Sequence, residues 1–221
     1  MSVTGVTINS TDTLTQWGLM MLDDLVISAP IPKTAYVDLP GADGSLDYSD
    51  ALVGHPVFED RTITFTLFKH MDESTRNSTR TSLLAAYGGQ KVTLVTPDLA
   101  GWYWSGRMTI GELSGYNAGR IPISVRVSPY RLKSSVTTVT ETLSANTPKT
   151  VTLASAGMPT IPTIKCTKAC TLTDPNGGTH SINANTDYTS ADFLITGSGI
   201  TITAQSASSA TLTVKYQEGT L

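Results

Sequence analysis

Charge is scarce in this chain. Only 15% of its 221 residues are Asp, Glu, Lys or Arg, against roughly 25% in a typical soluble domain. Net charge is −3, and no basic stripe of the kind nucleic acid requires is visible, so no nucleic-acid specificity is expected. Long apolar runs are missing too. None approaches the ~18 residues of a membrane span, and the stretch from Trp17 to Leu22 is far shorter. Lys33 is the first positive side chain, so the charged start of a secretory signal is not expected either. Cys166 and Cys170 are the only cysteines. They suit two free thiols in a reducing compartment or, alternatively, a bridge across a tight hairpin.

The motifs of chemistry are also absent. His55, His70 and His180 are far apart, and no His-Glu-x-x-His occurs. A closed zinc site would have to combine both cysteines with His180, and a core or interface thiol pair is the simpler reading. Gly197-Ser198-Gly199 has the wrong spacing for a nucleophile elbow. No glycine-rich phosphate loop is present. The acidic pairs Asp23-Asp24, Glu59-Asp60 and Asp72-Glu73 are sequence neighbours, which point to opposite faces of a strand. Asp43, Asp47 and Asp50 surround a Gly-rich turn without the spacing of an EF-hand loop. They read as solvated turn residues, with calcium as the alternative. No enzyme activity, cofactor or metal is expected.

Threonine and serine fill the space that charge leaves. There are 36 Thr and 22 Ser. Threonine at that density favours pleated, half-buried surfaces and disfavours helices. The chain is therefore mainly β. Composition shifts near residue 133. All seven arginines lie at or before Arg131 and all three tryptophans at or before Trp104, whereas only Tyr188, Phe193 and Tyr216 are aromatic beyond Lys133. Two domains are expected, 1–133 and 134–221.

In the first domain Thr62–Phe68 and Arg120–Val127 alternate strictly between apolar and polar residues, the pattern of a strand buried on one face. Pro122 restricts its position to an edge or a site without a ladder bond. Lys91–Thr96 and Thr34–Leu39 are further strands, the latter followed by a turn at Pro40–Gly44. One helix is expected. Asp72 or Ser74 caps it, Leu83, Leu84 and Tyr87 form its apolar stripe, Arg76 lies on its exposed side, and Gly88-Gly89 ends it. Beyond residue 133, candidate strands are 136–143, 150–153, 160–166, 170–173, 180–184, 192–195, 200–203 and 210–216. Turns fall at Asp174–Gly178 and Gly197–Gly199. Seven or eight short strands in that length indicate a β-sandwich or jelly roll.

The run Gly101-Trp-Tyr-Trp-Ser-Gly106 is the most unusual local feature. Alternation puts Trp102 and Trp104 on one side of a strand. They serve either as core or interface anchors or as a sugar-stacking platform.

Several stretches, in order, resemble distal tail proteins (Dit) of long-tailed siphophages. They are Tyr36-Val-Asp-Leu-Pro-Gly-Ala-Asp-Gly-Ser-Leu-Asp47, Phe58-Glu-Asp-Arg-Thr-Ile-Thr-Phe-Thr-Leu67, the helix ending in Gly88-Gly89, and Trp104-Ser-Gly-Arg107. Ile123-Ser-Val-Arg-Val-Ser-Pro-Tyr130 and the terminal Leu212-Thr-Val-Lys-Tyr-Gln-Glu-Gly-Thr-Leu221 complete the set. The resemblance implies an N-terminal β-sandwich-like ring-forming domain with one helix, then a C-terminal galectin-like β-sandwich. It also implies a homo-hexameric ring at the tail tip of a virion assembled in the host cytoplasm. That ring would join the tail-tube protein to the tail-tip hub or tail-associated fibre protein, and its outward sandwich can carry a receptor-binding protein. No membrane partner is implied. Arginine and aromatic side chains are enriched at interface cores, which makes Arg61, Trp102, Trp104, Arg107, Arg120 and Arg126 the candidate interface or lumen residues. The competing expectation is a carbohydrate-binding module for host cell-wall sugars, although the C-terminal segment has no tryptophan for such a platform.

Overall fold

A computed structural model of the chain describes residues 4–112 and 119–221. The chain divides into two compact units, Met1–Pro129 and Tyr130–Leu221. Each has its own apolar core.

The first unit is built on an antiparallel sheet. Its spatial order is Thr11–Asp12, Thr7–Ile8, Lys91–Val95, Trp102–Ile110, Arg120–Val127, Arg61–Phe68 and Met20–Met21, with Val26–Ile27 also paired to Arg61–Phe68. In register, Ile63 faces Val125, Phe65 faces Ile123 and Leu67 faces Ile121. Together with Trp104, Met108 and Ile110 they make the inner face and are buried. Side chains alternate with a period of two, so Thr62, Thr64, Pro122, Ser124 and Arg126 all project from the other face. Pro122 sits in an interior strand and leaves one ladder bond unmade, and Arg80 Nε donates to the Gly111 carbonyl in its place at 3.2 Å. The Pro122 carbonyl accepts from Gly111, just past the end of Trp102–Ile110, and the missing N–H points to that same side. Gly106 lies where a Cβ would come within 2.1 Å of the Arg126 carbonyl oxygen. The two strands can approach this closely only at a residue without a side chain.

The helix spans Glu73–Tyr87 and packs its Leu83 and Tyr87 into this core. Asp72 caps it by accepting from the Thr75 N–H at 2.7 Å, and Gly88 ends it by donating to Leu84 O. Two expectations change here. Arg76 is buried rather than exposed, because seven- and eleven-residue offsets from Leu83 and Tyr87 put it on their face of the helix. Leu84, one position round from that face, is exposed. A second, five-residue helix, Thr13–Trp17, was not expected. Asp12 accepts from the Thr15 N–H and Gly18 closes it at φ +65°. Its Trp17 meets Tyr87 edge to face at 5.8 Å.

The second unit is a sandwich of two four-stranded antiparallel sheets. One runs Thr137–Leu143, Ala210–Tyr216, Thr163–Cys166, Asp187–Tyr188; the other runs Lys149–Leu153, Ile200–Ser206, Cys170–Thr173, Thr179–Ile182. The inward faces supply a single core that includes Ile164, Leu172, Ile202, Leu212 and Val214. The expected strand at 192–195 is instead a 3-10 turn, Ala191–Phe193. The Ser190 hydroxyl takes the Asp192 N–H, a local bond that competes with sheet pairing. Only Ile195 reaches a neighbour, bridging Thr160. Phe193 is thereby driven into the core, fully buried.

Cys166 and Cys170 end and begin strands in opposite sheets, and both are buried, free thiols. Burial first, and then the adjacent Cys166 thiol, push the Cys170 pKa up to about 12. Reactivity belongs to the thiolate. The native protein is therefore expected to leave both cysteines unmodified by a thiol-specific disulfide reagent at mildly alkaline pH. Two thiols should titrate once denaturant is added. A fast-reacting thiol in the native state would contradict the packing described.

Candidate assembly interface

Between Ser28 and Arg61 the first unit sends out a β-hairpin that has no core beneath it. Its strands are Tyr36–Asp38 and Ser45–Asp47, paired Tyr36 to Asp47, Val37 to Leu46 and Asp38 to Ser45. The root is held by backbone bonds, Lys33 N–H to Val57 O at 2.7 Å and Glu59 N–H to Ile31 O at 2.9 Å. Toward the tip, Ala35 N–H donates to Ser49 Oγ. Asp47 accepts from both the backbone and the hydroxyl of Ser49, which hold its carboxyl below the usual carboxylate range. Gly41 and Gly44 take positive φ in the turn.

Every residue of both strands is exposed, the apolar ones included. Tyr36, Val37, Leu39, Leu46, Tyr48, Leu52 and Val53 are each 44–99% exposed. A lone two-stranded hairpin is marginal in water, and an apolar cluster left in solvent marks a surface built to be covered. The expected strand over Thr34–Leu39 and its reversal at Pro40–Gly44 are therefore present, but as a projection rather than part of the sheet.

The outer face of the sheet carries the second feature. Arg126 lies directly across from Arg107, and Arg107 directly across from Lys91. Three like charges in a row across adjacent strands repel one another. Asp60 offsets one of them, its Oδ2 accepting from Arg126 Nε at 2.8 Å, and Arg107 donates to the Gly89 carbonyl. Among the described residues no ion pair reaches Lys91 or Arg107. The row lines an open groove of about 400 Å³ with Ser105 and Ser128. Arg120 shares this face with Arg126, roughly 20 Å along the same strand, opposite Phe68.

The other sequence-selected residues fall elsewhere. Arg61 is only 8% exposed and donates to Ser28 O at 2.7 Å. Its guanidinium lies 5.0 Å from the centre of the Trp104 ring, a cation–π contact inside the unit. Trp104 is buried in the core and Trp102 half-buried, so Trp104 offers no face for stacking a sugar. Asp43, Asp47 and Asp50 do not converge, since among the described residues the one group with metal-ligand spacing is elsewhere. His180 joins that group with Asp174 and Asp192, not with the cysteines. Sequence reasoning missed the hairpin's apolar exposure, because its alternation looks the same whether or not a core lies beneath. The charge row was hidden for a different reason. Its three members are 16 and 19 residues apart and meet only through strand pairing.

No protein-family model matches the chain, and no curated protein does. A solved structure is similar from end to end. It is the crystal structure of the SPP1 Dit (gp 19.1) protein, described as a paradigm of the hub adsorption apparatus in Gram-positive infecting phages. It matches over 100% of both chains with a TM-score of 0.63 and 12% identity. At that identity the likeness is one of fold. The chain has the fold of a siphophage distal tail protein.

Two sets of variants separate assembly from folding. Serine at Val37, Leu39 and Leu52 should leave urea unfolding within about 0.5 kcal/mol of the parent, because these side chains touch no core. The same change should lower the sedimentation coefficient of any assembled species. Arg126→Glu should do likewise, placing an acid beside Asp60. A large stability loss in the serine variant would assign the hairpin to the chain's own fold instead.

Proposed function

We propose that the chain is a structural virion protein of a long-tailed phage or prophage, a distal tail adaptor at the tip. In this reading the first unit closes as a hexameric ring between the tail-tube protein and the tail-tip hub or tail-associated fibre protein. The second unit, a galectin-like sandwich, faces outward and can carry a receptor-binding protein. The protein catalyses no reaction, and it assembles in the host cytoplasm.

The observation that carries this reading is the fold similarity to SPP1 Dit over the full length of both chains. A match to one unit alone would suit any β-sandwich module. Here the match takes in both units of this chain. The exposed hairpin and the like-charge row add a physical motive. Ring closure uses heterologous contacts, in which one surface of each copy meets a different surface of the next. An apolar projection and a charged sheet face on the same unit supply two such unlike surfaces.

Negative-stain electron microscopy of the purified chain tests the reading. Class averages are expected to show closed rings with six-fold symmetry. A glycan array run alongside should give no saccharide binding. Small particles without rings, together with specific binding to a cell-wall glycan, would replace the adaptor with a carbohydrate-binding module.

A further inference from the structure

In the second unit, three side chains from two separate segments converge on one point. Asp174 follows the strand Cys170–Thr173, in the turn leading to Thr179–Ile182. Its Oδ1 accepts the Asn176 and Gly178 N–H groups at 2.7 and 3.1 Å, which turns Oδ2 toward His180. Asp174 Oδ2 lies 3.0 Å from His180 Nε2. From the 3-10 turn, Asp192 brings its Oδ2 to 3.7 Å from the same nitrogen. All three ligand atoms lie within 4.8 Å of one another.

We propose that Asp174, His180 and Asp192 form a site for a divalent first-row transition cation of the zinc type, with a fourth position open to water. A tetrahedral zinc ion holds nitrogen and oxygen ligands at about 2.0–2.2 Å, which sets ligand atoms roughly 3.4 Å apart. The observed 3.0 and 3.7 Å straddle that value. One imidazole with two carboxylates suits zinc, cobalt, nickel or manganese better than calcium, which takes six to eight oxygens.

The surroundings support the same assignment. Asp174 is 6% exposed and His180 18%, whereas Asp192 stands at the mouth with 54% exposure. Two carboxylates this close repel unless a positive charge lies between them. The Asn176 and Gly178 amides occupy Asp174 Oδ1, which leaves Oδ2 as the atom that faces His180 and Asp192. Tyr188 Oη lies 2.9 Å from His180 Nδ1. With the cation on Nε2, Nδ1 carries the proton and donates to that oxygen, which stands where ligating histidines usually meet a carboxylate, carbonyl or water. The imidazole also rests 5.0 Å from the Phe193 ring. A cation here ties the hairpin that carries Asp174 and His180 to the turn that drives Phe193 into the core. The role is a staple for the sandwich.

The full chain, stripped with a chelator and desalted, is titrated with zinc chloride by calorimetry at neutral pH, with thermal melts in parallel. One zinc per chain is expected, with a melting temperature several degrees higher at saturation. Asp192→Asn, at the half-exposed position, should melt like the stripped parent and bind zinc at least roughly tenfold more weakly; His180→Gln should abolish binding. Cobalt should give a visible spectrum without a thiolate charge-transfer band. No binding up to millimolar zinc would overturn the proposal and leave a plain Asp174–His180 hydrogen bond. So would binding that Asp192→Asn does not weaken, and so would a thiolate band, which would assign the cation to the cysteines.

Discussion

The first unit is governed by the fact that each of its central strands has only one apolar face. Ile63, Phe65 and Leu67, with Ile121, Ile123 and Val125 opposite them, fill the inner side of the sheet. Period-two alternation then commits Thr62, Thr64, Ser124 and Arg126 to the outer side. A one-residue slip would exchange the two sets, so the register is fixed by burial. The row of Lys91, Arg107 and Arg126 follows from that register. It is a consequence of how the core is made, placed where nothing in the same unit covers it.

The two units differ in how completely they satisfy themselves. In the second, two sheets close over one core and the cysteines are sealed within it. The few aromatics are spent inside, Phe193 and Tyr216 both buried. The first unit closes its inner face with the helix and the chain's start, yet leaves an apolar hairpin and a repulsive charge row exposed. A monomer gains nothing from either. The ring proposed above would give the exposed apolar side chains a surface to bury against.

Alternation made much of this legible in advance. Arg120–Val127, Cys170–Thr173 and Ala210–Tyr216 fall where their patterns place them, as does the helix cap at Asp72. Arg76 was misplaced because a charged residue reads as exposed, whereas helical spacing puts it on the buried face. Residues 192–195 look like a strand, but a serine hydroxyl two positions earlier captures the backbone. The exposed face of the sheet was half visible. Arg107, Arg120 and Arg126 were selectable by composition, whereas Arg61 and Trp104 turn inward toward each other. No local signal distinguishes an arginine stacked on a tryptophan from one that waits for a partner. Asp174, His180 and Asp192 escaped for the same reason, since their convergence depends on a hairpin and a 3-10 turn meeting across the sandwich.

The proposed ring requires that copies of this chain cover each other's exposed surfaces. Absolute mass by light scattering on a sizing column tests it most directly. Six copies of a 23.4 kDa chain give about 140 kDa, and a species of that mass that persists on dilution is expected. A monomer of 23.4 kDa at every concentration, even with tail-tube and hub proteins added, would contradict it.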